Sequence, residues 1–151
     1  MRHTMISAAA LGLTLAAGAA LADVTPAVEA RQGQFKLYAF NLGPLVQMAQ
    51  GNIDYDADAA GVAAANLAAL VSVDQARLWP EGSDNATIEG TRALPAIWDD
   101  LEDFASKFSD LQQAVAGLEG SAGTDLDGLR ATLGPVGAAC SACHEANRAP
   151  E

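Results

Sequence analysis

The chain has 151 residues, half of them hydrophobic, with 19 acidic against eight basic side chains and a formal net charge of −11 at pH 7. That length holds one domain with one core. So acidic a surface argues against nucleic acid and anionic membranes as partners, since both need basic patches. It favours solubility and a basic partner.

Met1-Arg2-His3-Thr4-Met5 is a short basic leader, followed by an apolar run from Ile6 to about Ala20. Ala20-Leu21-Ala22 then offers a small-x-small cleavage site. The pattern is that of a secretory signal peptide over residues 1–22, with a mature domain over 23–151, and it predicts a periplasmic protein. The run is shorter than the roughly 18–20 apolar residues of a membrane span, and no later segment approaches that length.

Ala and Leu dominate the rest, and β-branched clusters are sparse, which points to helices. A first amphipathic stretch runs from about Pro26 to Gly51, with a kink expected at Gly43-Pro44. A second, rich in Ala, runs from about Asp56 to Leu78. A third runs from about Ala93 to Leu118, with Leu94, Ile97, Trp98, Leu101, Phe104, Phe108, Leu111 and Val115 at helical spacing. The fourth runs from about Thr124 to Asn147. Its apolar positions Leu126, Leu129, Leu133, Val136, Cys140, Cys143 and His144 step by threes and fours until the last pair. Gly51-Asn52, the stretch 79–92 and Gly120 to Gly123 connect them. Four such helices predict an all-α, antiparallel (up-down-up-down) four-helix bundle, a fold that houses cofactors in its core.

The fourth stretch carries Cys140-Ser141-Ala142-Cys143-His144, a C-x-x-C-H run. This is the signature of covalent c-type haem attachment. On a helix both thiols and the imidazole project from one face, so they can grip one flat ligand. Cys140 and Cys143 are the expected covalent anchors of haem c, and His144 the expected axial iron ligand. A redox dithiol belongs after a strand, and none is read here. A zinc site needs four ligands, more than these thiols and one imidazole supply. A structural Cys140–Cys143 disulfide without haem is the remaining bland reading.

Iron held by one His needs a second ligand or an open position, and that choice decides function. His3 and Met5 leave with the leader, so His144 and Met48 are the last of their kinds. Met48 lies 13 residues after Phe35, about 20 Å along the helix and roughly 220° around it. If Phe35 faces the haem, Met48 does not. Lys36 and Lys107 are expected to be solvated. The expectation is a five-coordinate iron with an apolar distal side, suited to neutral CO and NO rather than O₂. The rival is a low-spin six-coordinate carrier of electrons. No nucleophile or general-base cluster is visible, so the protein is not read as an enzyme.

These residues resemble the cytochrome c′ family over nearly all of the mature chain. The resemblance rests on Arg31-Gln32 with Phe35, Leu78-Trp79-Pro80, Ala93-Leu94-Pro95-Ala96-Ile97-Trp98, Phe104 and Phe108, Gly134-Pro135-Val136-Gly137 and the C-S-A-C-H run, with Arg148 four after the His. It implies that Arg31 and Gln32 lie beside the haem propionates, that Phe35 shields the distal position, and that Arg148 lies near the proximal face. Trp79 joins them as part of the haem surroundings. It also implies nitric oxide binding, an unnamed redox partner protein and a homodimer through the first two helices. Ser141, Asn147, Leu133 and Pro135 depart from the family pattern, and Ser141 and Asn147 predict a less basic, more open proximal face.

Overall fold

The computed structural model describes residues 23–150. The expected signal peptide and its cleavage site lie outside the described residues. No helix among the described residues is long and apolar enough to cross a membrane.

Helix α1 spans Thr25–Gln50 with Pro26 in its first turn, a position where the missing N–H costs nothing. It ends at Gly51, whose φ of 75° is the left-handed cap that lets its N–H reach back to Gln47 and Met48. The helix continues across Gly43-Pro44. Phe40, the residue whose carbonyl Pro44 cannot serve, is 76% exposed, where water can serve it.

Helix α2 spans Ala57–Val71, capped by Asp56, whose carboxylate accepts from the Ala59 N–H. It stops seven residues before the expected Leu78. Neighbouring side chains take its last carbonyls: Gln34 and Tyr38 donate to Leu70 O, and Gln112 donates to Val71 O. Ser72 turns back to Ala69 O, and Asp74 accepts from the Ala76 N–H, so local bonds replace a further turn of helix.

The third expected helix is two. A single turn, α3, covers Ala96–Asp99, and α4 covers Leu101–Glu119. Asp100 breaks them apart at φ −144° and caps α4 by accepting from the Asp103 N–H. Ala93, the expected start, instead forms an isolated antiparallel bridge with Arg148. Helix α5 spans Leu126–Asn147, capped by Asp125, and carries Pro135 on an exposed turn.

The four long helices make the expected ring: α1 packs on α2 and α5, α2 on α4, and α4 on α5. Cross-links show the directions. Arg130 near the start of α5 donates to Ala49 O at the end of α1, and Tyr55 before α2 donates to Ala122 O after α4. Leu45, Leu67, Leu118, Leu129, Val115 and Val136 fill the middle. Ala60, Ala63 and Ala64 are buried on α2, where small side chains permit close approach.

Candidate functional site

The apolar filling stops short of one end. Between α1, α4, α5 and the segment before α3 lies a cavity of about 550 Å³, within the roughly 300–1,000 Å³ of ligand pockets. The residues expected to hold or surround the haem line it: Arg31, Gln32, Phe35, Trp79, Cys140, Cys143, His144 and Arg148. Met48 does not; it is buried in the core with Leu45 and Leu118.

Helical spacing explains the convergence. Arg31, Phe35, Tyr38 and Leu42 form one stripe of α1, and Phe104, Phe108 and Leu111 one stripe of α4. Cys140, Cys143, His144 and Asn147 form one stripe of α5. Both cysteines are free thiols. Burial pushes the Cys140 and Cys143 thiols up, each by more than its neighbours do. Burial pushes the His144 imidazole down, helped by Arg148 and Arg92. A neutral imidazole keeps the lone pair a metal needs. Among the described residues no group of three or more His, Cys, Asp or Glu is placed to hold a bare ion.

The aromatic wall is continuous: Phe35 meets Trp79 at 6.3 Å between ring centres, and Trp79 meets Phe104 at 4.8 Å. The Trp98 indole donates to Trp79 O. Trp79 Nε1 itself is buried without a hydrogen-bond partner. A buried donor left unmade is costly, and a haem carboxylate in the cavity would satisfy it. Four other neutral donors on the wall face protein acceptors. Gln32 donates to Gly90 O, Gln75 to Val73 O, Asn147 to the Cys143 sulfur, and Tyr38 to Leu70 O. Burial and nearby Cys140 push the Tyr38 phenol up to about 12, so it stays neutral. An apolar, aromatic cavity with two thiols, one neutral imidazole and an orphaned N–H fits a haem.

Arg31 is no surface charge: it is 2% exposed. Its guanidinium donates to Leu78 O, to Ser83 O and Oγ, and to Thr91 Oγ1. It therefore pins the long segment between α2 and α3 as a wall of the cavity. The segment's far end is tied to the end of α5 and the tail after it: Ala149 N–H donates to Arg92 O, and Leu94 N–H donates to Asn147 O.

Sequence reasoning missed Tyr38, Lys36, Arg92 and Lys107 as lining residues. Extending the Phe35 and Phe104 stripes by three or four positions would have found Tyr38 and Lys107. Arg92 lies outside any helix, where no periodicity points to it. Lys36 and Lys107, expected to be solvated, both line the cavity; Lys36 is exposed, and Lys107 is half-buried against Asp103 at 2.5 Å.

The family model described as Cytochrome C' matches residues 26–148. Cytochrome c-554 of Cereibacter sphaeroides is 44% identical over 147 residues, covering 95% of this chain and 96% of that one. Among solved structures, cytochrome c' from Rhodobacter Spheriodes aligns with a TM-score of 0.84 and 40% identity, covering 86% of this chain and 100% of that one. A nitric oxide complex of a variant cytochrome c prime from Alcaligenes xylosoxidans aligns with a TM-score of 0.75 and 32% identity, covering 87% and 99%.

Proposed function

The chain belongs to the cytochrome c′ family, whose members carry covalent haem c, and from that premise we propose an exported, periplasmic gas-binding cytochrome, not an enzyme. Cys140 and Cys143 anchor the haem, and His144 is its one protein ligand. The other axial position is open to nitric oxide and carbon monoxide. The bound group supplies an iron that takes a diatomic gas and changes by one electron.

One observation carries this reading. Met48, the last methionine after the leader, is buried in the core and absent from the cavity that holds both thiols and His144. Phe35 stands on the α1 wall, where a bulky ring restricts access to the iron, and the Gln32 amide and Tyr38 phenol nearby donate to backbone carbonyls rather than into the cavity. The resemblance to a nitric oxide complex of a related cytochrome supports the choice of ligand.

Haem staining of the mature band on a denaturing gel tests attachment. The wild type stains, and replacing both cysteines by serine abolishes the stain. An unstained wild-type band contradicts the proposal.

A second reading follows from Lys36 and Lys107 on the cavity wall. A lysine amine closing the sixth position would make a low-spin electron carrier. Replacing each lysine by leucine, which cannot ligate iron, leaves the spectrum unchanged under the first reading and removes a low-spin signature under the second.

The exposed apolar residues Leu37 (49%) and Phe40 (76%) on α1 and Val62 (63%) on α2 support a homodimer through these two helices.

A further inference from the structure

The cavity is also an electrostatic exception. The described residues hold seven Lys and Arg side chains, and five of them line it: Arg31, Lys36, Arg92, Lys107 and Arg148. No Asp or Glu lines it, although the chain has 19. Only Arg77 and Arg130 lie elsewhere. Asp103 neutralises Lys107, and a haem brings two carboxylates. Leaving Arg92 aside, the four cations Arg31, Lys36, Lys107 and Arg148 still outnumber those three negative charges. Lys36 and Arg148 are exposed, so the excess reaches solvent at the mouth.

We propose that the mouth of this cavity is the docking face for a redox partner protein that presents an acidic patch. The partner expected from net charge alone is basic. Local charge reverses that expectation, because docking is steered by the face that meets the partner and screening hides charges beyond about 10 Å. The acidic remainder then repels the same partner from every other face, which orients the encounter. The inference rests on the haem reading above, since the mouth matters only if electrons cross there.

The test uses the haem-loaded, reduced protein and two small oxidants, anionic hexacyanoferrate(III) and cationic tris(phenanthroline)cobalt(III). Each accepts one electron, leaving the protein oxidised by one. Raising the ionic strength from about 100 to 500 mM, a range in which screening confines each charge's reach to about 10 Å or less, should slow the anionic oxidant about threefold and speed the cationic one. The double variant Lys36→Glu/Arg148→Glu should invert both trends. The pair Arg77→Glu/Arg130→Glu, with the same change in net charge, should leave their signs alone. A ten-residue glutamate peptide at low salt should slow hexacyanoferrate with the wild type and not with the mouth variant. An anionic oxidant that speeds up with salt overturns the proposal. So do equal effects of the two charge pairs, or an inert peptide. A chain without haem fails the staining test first, which separates the two failures.

Discussion

The Arg31 guanidinium carbon lies 4.5 Å from the centre of the Trp79 ring, a buried cation held over an indole face. Its hydrogen bonds go to the carbonyls and hydroxyls of the segment 78–91, none to a carboxylate. Burial pushes the guanidinium down from its ordinary value, yet it stays charged. The pair fixes both the segment and the indole that faces the cavity. Arg31→Lys keeps the charge but loses the planar fork. It should cost about 2–3 kcal/mol and raise hydrogen exchange within 78–91. Unchanged stability and exchange would show that the segment holds itself.

Phe35 packs edge-on against Tyr38 at 5.6 Å and against Trp79. Phe35→Ala should open the approach to the iron and speed carbon monoxide binding to the reduced protein by about tenfold, or about 1.4 kcal/mol of barrier. Flash photolysis reads the rate. An unchanged rate would place Phe35 away from the ligand's path.

Asp84 sets a pH dependence. Burial opposes its ionisation, but the N–H groups of Ala86 and Thr87 and the Thr87 hydroxyl outweigh burial and hold the carboxyl below its usual range. A depressed folded value gives stability that is present above the ordinary carboxylate range and lost as pH falls through that value. Melting temperatures between about pH 7 and pH 2 should therefore fall more steeply in the wild type than in Asp84→Asn. Parallel curves would mean that Asp84 is uncoupled from folding.

The dimer proposal turns on Phe40, the most exposed of the large hydrophobic residues. Phe40→Glu should halve the mass seen by sedimentation equilibrium without altering helix content. A wild type that sediments as a monomer at every concentration would exclude this interface.

The spacing on α5 made the attachment end legible, because Cys140, Cys143, His144 and the core residues Leu129 and Val136 obey one helical period. The α1 stripe was equally readable. The end of α2 was not, since Gln34, Tyr38 and Gln112 reach it from other helices. The break at Asp100 has a local signal, a capping aspartate, but the run of apolar residues across it reads as one helix. The role of Arg31 was hidden for a different reason. Its acceptors lie 47 to 60 residues away in a segment without periodicity.

The central claim is a five-coordinate iron held by His144 alone. Its most direct measurement is the absorption spectrum of the purified protein, oxidised and reduced, before and after carbon monoxide and nitric oxide. The account predicts broad high-spin bands that shift when either gas binds the reduced form. Sharp low-spin bands that neither gas changes would contradict it.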